Sequence, residues 1–408
     1  MTLCDTCARI LTSEGKRRKT GFLSFLFIAL FSCVSFAATD IPFTINMSEA
    51  VNITGTPRIA VDVGGITRYA NYTAGTGTTT LTFTYTMVAG DIDLDGVTLS
   101  SPIDLNGGTM QDLAGNDTTL TFTVPDTSGI LIDYYVGVLE NLPSTTAAYS
   151  VRRLKRSHNG SLIRVRRSSD STESDIGYLA SGDLDTATLT SFCSATSCFI
   201  KTWYDQSGNG NHATQTTAGS QPRIVNSGTI DIVNGVPALN FIASSNNYML
   251  MPSMLSGMSA LTISTVLKNN SSGNWARFFD FGTGQTVNMF ATPSNSTQSR
   301  FRITNGGYAN EQGPSGTTIN SVTTHNLIFL HTGTTMTIFQ NGISLASAGS
   351  ITKLPSAIVG TQNYIGRSQY PDPHFNGWYQ EFVLFPSALS TPDRNTLEAN
   401  EKAYFGTP

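Results

Sequence analysis

The densest set of side chains able to do chemistry lies between Phe192 and Gln215, in FCSATSCFIKTWYDQSGNGNHATQ. The turn inside it carries a carboxylate, three amides and an imidazole: Asp205, Gln206, Asn209, Asn211 and His212. Such groups can take the hydroxyls of a sugar or, through their oxygens, a calcium ion. The same residue types also build turns, since Asn and Asp bond their own backbone and Gly208 and Gly210 accept positive φ. Sequence leaves both roles open. A second candidate is Asp91-Ile92-Asp93-Leu94-Asp95-Gly96, where alternate aspartates set Asp91, Asp93 and Asp95 on one side of a loop, as in calcium sites. The twelfth position of an EF-hand reading is Pro102 and not Glu, so that motif fails, and an acidic turn between strands is the alternative. The histidines show no metal spacing, and no phosphate loop or Ser-His-Asp arrangement stands out. Calcium is therefore the only cofactor with any support.

The elements around these residues read as strands. Arg58–Val63, 80–86 and 119–124 alternate apolar and polar residues in Thr-rich runs, which argues a β-sandwich over roughly 38–127. Residues 128–144 read as a linker. Ala147 to Ser157 reads as a short amphipathic helix, Leu162 to Arg167 as a strand with alternating arginines, and Leu184 to Phe192 as a second short helix. Beyond Gln215, expected strands are 229–233, 238–242, 261–267, 276–281, 300–304, 327–330 and 336–339, with Asn341-Gly342 closing a hairpin. A closing helix starts at Thr391-Pro392.

Charged residues make up 13% of the 408, and the net charge is −4, which argues against nucleic acid as a partner. Lys16-Arg17-Arg18-Lys19 followed by the apolar run Gly21 to Phe36 and by Ser35-Phe36-Ala37 reads as an export signal over 1–37, with no membrane span left after cleavage. In an exported chain, Cys193 and Cys198 read as a disulfide.

The order of Phe-Cys-x4-Cys, an apolar strand and Tyr204-Asp205-Gln206-Ser207-Gly208-Asn209-Gly210-Asn211-His212 resembles the catalytic domain of the α-L-arabinofuranosidase B family, family 54 of the glycoside hydrolases. The resemblance covers roughly 145–405 and is sharpest over 192–215. The stretch 375–405 resembles laminin-G and concanavalin-type sandwiches, and 38–127 resembles bacterial immunoglobulin-like repeats. The implied fold is all-β: an N-terminal immunoglobulin-like β-sandwich, then a concanavalin A-like jelly-roll sandwich with a few short helices.

Retaining glycosidases use two carboxylates about 5 Å apart. The resemblance places the nucleophile after a strand that follows Phe279-Asp280-Phe281-Gly282, at Asn305 or Gly306, and the acid at Ser368. None of these is a carboxylate. Glu311 and Asp372 are the nearby acids that a rearranged site could recruit, Asp372 only if its loop moved. Asp280 and Trp275 join Asp205, Gln206, Asn209, Asn211 and His212 as candidate sugar-binding residues. The expectation is a secreted or cell-surface protein that binds or adheres to a polysaccharide or other glycan, its catalytic carboxylates lost. An active α-L-arabinofuranosidase that trims arabinose side chains, and a purely structural surface protein, are the alternatives.

Overall fold

The computed structural model describes residues 40–270, 272–319 and 323–408, so the export signal read at 1–37 lies outside the described residues. The chain forms two compact units, 1–136 and 137–408.

In the first unit, period-two patterning does what it implies. Along Thr78–Thr86, Leu81, Phe83 and Tyr85 point into the core while the threonines face outward. The long strand Asp40–Thr54 pairs with it, setting Phe43 opposite Phe83 and Ile45 opposite Leu81, and its far end pairs with Thr109–Asp112. A six-stranded antiparallel sheet results. The expected strand over 119–124 is not formed. Its neighbour Thr98–Asp104 contains Pro102, which has no N–H to give, and Phe122 N–H donates to the Ser101 hydroxyl at 3.0 Å instead. Residues 128–136, read as linker, belong to this unit: Ile132–Asp133 pairs with Ile92–Asp93, and Ile132 is buried in the core.

The second unit is a sandwich of antiparallel strands. In one layer, Leu261–Asn269 sits between Thr324–His331 and Gly377–Phe385. In the other, Phe279–Gly284 sits between Val287–Thr292 and Gln362–Ile365, and Ser299–Thr304 extends it. The inner faces meet through aromatic rings: Phe279 lies 5.1 Å from Phe329 and 6.1 Å from Phe382, and Phe301 lies 5.4 Å from Phe329, centroid to centroid. Asn341 and Gly342, both at positive φ, close the expected hairpin between Met336–Gln340 and Ile343–Ala348.

One expected helix is a strand. Ala147–Ser150 is buried at every residue and pairs with Gly377–Phe385, Tyr149 opposite Phe382. A run buried on all sides has no solvent face for an amphipathic helix to present, so tertiary pairing overrides the local pattern. The other short helix forms at Thr186–Phe192, capped by the Asp185 carboxylate, and the Cys193–Cys198 disulfide ties its end to the strand Cys198–Trp203. The basic run is offset by nearby acids, Arg164 by Asp175 at 2.5 Å and Arg167 by Asp170 at 2.5 Å. The closing helix, Thr391–Phe405, is capped by Ser390. No helix among the described residues is long and apolar enough to cross a membrane.

Candidate functional site

The Asp205–His212 loop is a clasp on the buried strand Ala147–Ser150. The Asp205 carboxylate accepts from Ala148 N–H at 2.9 Å, Ser207 N–H at 2.9 Å, the Ser207 hydroxyl at 2.7 Å and Asn211 N–H at 2.9 Å. Gln206 accepts from Leu154 N–H and donates to Arg152 C=O, both at 2.8 Å. The Asn209 and Asn211 amides donate to the Thr146 carbonyl, and His212 Nδ1 accepts from Asp205 N–H at 3.0 Å. The structure thus gives these five candidate sugar ligands another role. Asp205 and Gln206 are 4% and 2% exposed, and their polar atoms are spent on backbone.

The acidic loop of the first unit is used in the same way. Asp91 accepts from Arg68 at 2.6 Å, from Val88 N–H at 2.6 Å and from the Tyr85 hydroxyl, and Asp93 accepts from Gly64 and Gly96 N–H. Asp95 is exposed. These bonds build a turn, and among the described residues no three His, Cys, Asp or Glu side chains are grouped to hold a metal ion.

The chemistry converges elsewhere, around Arg277. This guanidinium is buried, with Nε 3.5 Å from Asp280 and an Nη 3.2 Å from Asp372. Asp280, fully buried on its strand, accepts from Gln369 N–H at 2.9 Å. Burial pushes its pKa up to about 7, outweighing the pull of Arg277. Asp372 accepts from the Ser368 hydroxyl at 2.9 Å. Asp372 is thus bonded to Ser368, the residue at which the family resemblance expects the acid.

Glu311 arrives by a similar return. The strand Ser299–Thr304 ends in a turn at 305–307, and the chain doubles back so that Gln312 pairs with Ile303. Glu311, next to Gln312, thereby returns alongside the end of that strand. Burial raises its pKa, with Arg302, Arg300 and Arg277 opposing. Tyr370 lies in the field of Glu311, Asp280, Arg277 and Asp372 together. Trp275 is held at positive φ with Arg300 5.1 Å and Arg277 5.6 Å from its ring, so guanidiniums occupy the ring's surroundings.

Beside this cluster lies an open cleft of about 640 Å³, lined by Ala243, Ser244, Asn246, Arg367, Tyr370, Asp372 and His374 among others. Asp372 is its carboxylate. Sequence reasoning gave Arg277, Arg367 and Tyr370 no part in a site, and weighed His374 only among histidines without metal spacing. The signal available was the Arg367-to-His374 stretch itself, where an acid sits between two prolines with a phenol before them and an imidazole after.

Residues 135–254 match the family described as alpha-L-arabinofuranosidase B, catalytic, and 243–393 match the concanavalin A-like lectin/glucanases superfamily. The arabinofuranosidase match ends before Asp280, Glu311 and Asp372. Among curated proteins, a probable alpha-L-arabinofuranosidase B of Aspergillus flavus is 44% identical over 78 residues, 19% of this chain and 15% of that protein. An alpha-L-arabinofuranosidase of Hypocrea jecorina is 40% identical over 77 residues, 19% of this chain and 15% of the relative. The chain thus matches about 15% of the length of these relatives. Among solved structures, an arabinofuranosidase complexed with arabinofuranosyl-alpha-1,2-xylobiose aligns at a TM-score of 0.48 and 20% identity, over 64% of this chain and 63% of that one. A family 54 arabinofuranosidase soaked with a cyclic sulfate inhibitor aligns at 0.48 and 21%, with the same coverage. The second unit thus carries a stretch similar to the arabinofuranosidase B catalytic domain over 135–254, and one similar to concanavalin A-like lectin/glucanases over 243–393.

Proposed function

We propose that the second unit acts on arabinofuranosyl-bearing polysaccharide as a glycoside hydrolase, in the cleft beside Asp372. The observation that carries this is Asp372 on the cleft, 3.2 Å from Arg277, with the charge of Glu311 felt at both Arg277 and Tyr370. Asp372 bonds Ser368, where the resemblance puts the acid, and Glu311 precedes Gln312, which pairs back on the strand that leads to Asn305. Glu311, its pKa raised by burial, suits the proton donor, and Asp372, open to the cleft, suits the nucleophile. This reverses the order implied by the resemblance. The relatives support hydrolysis better than the purely adhesive role expected from sequence. The chain acts outside the cell in this reading, with the first unit as an immunoglobulin-like spacer.

Binding without turnover is the second reading, favoured by one observation: Arg277 sits directly against Asp372 and holds it in an ion pair. Release of arabinose from an aryl α-L-arabinofuranoside, and its loss in Asp372→Asn and Glu311→Gln, separates the two.

A further inference from the structure

Arg367 lines the same cleft as Asp372, half-buried. Its guanidinium lies 4.7 Å from the centroid of the Tyr248 ring and 4.8 Å from that of Tyr364, and the two rings meet edge to face at 5.5 Å. Stacking fixes the plane of the fork but leaves its N–H donors free to point outward. Among the described residues no carboxylate lies within ion-pair distance of it. Asp372, the acid that shares the lining, is engaged by Arg277 at 3.2 Å and by the Ser368 hydroxyl at 2.9 Å.

The other titratable groups facing Arg367 do not neutralise it. His374 lies 6.1 Å from the Tyr248 ring, and burial followed by the charge of Arg367 lowers its pKa, so at neutral pH it offers a neutral imidazole. Tyr248, Tyr364 and Tyr370 are phenols. The cleft therefore pairs an accounted-for carboxylate with an oriented, uncompensated guanidinium, in a space of about 640 Å³.

We infer that the cleft takes an acidic sugar, a uronic-acid residue whose carboxylate pairs with Arg367. A planar carboxylate matches the guanidinium fork through two parallel hydrogen bonds, and desolvation beside the two tyrosines strengthens them. This deepens the glycan reading of the same cleft and rests on it: the polysaccharide that carries the arabinofuranosyl unit also carries uronic acid.

The test titrates the full chain with trigalacturonic acid, with its methyl ester and with arabinotriose. The wild type binds the acid roughly ten- to a hundredfold tighter than the ester. Arg367→Gln abolishes that preference, while Arg367→Lys, which keeps charge and stem, retains part of it and controls for misfolding. Equal affinity for acid and ester, or a preference that survives in Arg367→Gln, overturns the inference. A chain that binds arabinotriose without preferring the acid loses this inference alone. One that binds the acid through Arg367 but not arabinotriose keeps the uronic-acid site and loses the arabinofuranosyl assignment.

Discussion

The Arg277 guanidinium lies 3.2 Å from the Asp372 carboxylate, so the acid that opens on the cleft is held from behind by a buried cation. The same cation stands 3.5 Å from Asp280, which has no exposure. A buried charge is tolerable only with its partner present, and the three side chains therefore stand or fall together.

Arg277→Met should destabilise the second unit by about 3–5 kcal/mol, because Asp280 is left buried and unpaired. Adding Asp280→Asn to Arg277→Met should recover part of that loss. Urea unfolding of the two variants measures both numbers, and a double variant no more stable than the single one would show that the pair is not coupled.

Stability should also depend on pH through Asp280. Its folded pKa, about 7, lies above its ordinary value of 3.8. A carboxyl with a raised folded pKa contributes stability that is fully present below the unfolded pKa and is lost as pH rises through the folded one. Burial raises Glu311 and Glu401 in the same direction. The urea midpoint should therefore fall between about pH 4 and pH 7, and Asp280→Asn should flatten that slope.

The Asp205 loop leads to a different prediction. Asp205→Ala removes the acceptor of four hydrogen bonds at a buried site and should cost roughly 3 kcal/mol or more. Because the loop clasps a strand and does not meet the cleft, folded Asp205→Ala protein should retain wild-type glycan affinity. Calorimetric titration at a temperature where the variant stays folded checks this.

Reduction of Cys193–Cys198 should be mild. The loop it closes is short, so the chain-entropy contribution is about 2 kcal/mol. Cys193→Ser with Cys198→Ser should lower the unfolding free energy by that order and leave the cleft intact, read out by arabinotriose binding.

Much of the fold was legible because period-two patterning and turn chemistry are local. Thr78–Thr86 and the Asn341-Gly342 hairpin follow directly from residue type. Ala147–Ser150 was not legible as a strand, since its pairing with Gly377–Phe385 spans more than half the chain and its apolar run fits helix or strand alike. The site was harder still. Motif density drew attention to Asp205–His212, where the polar groups serve the backbone. Asp372 and Glu311 stood out in sequence only as spare carboxylates, because the proposed role for them rests on loop geometry: Ser368 donating to Asp372, and Gln312 pairing back on Ile303. Arg367 acquires meaning only once Tyr248, distant in sequence, is found beneath it.

The most direct test of the central claim is release of 4-nitrophenol from 4-nitrophenyl α-L-arabinofuranoside by the purified chain, alongside Asp372→Asn and Glu311→Gln. The account predicts turnover by the wild type that falls by roughly a hundredfold or more in each variant, with azide restoring part of the rate in Asp372→Asn. Turnover absent from the wild type, or unchanged in both variants, would contradict it.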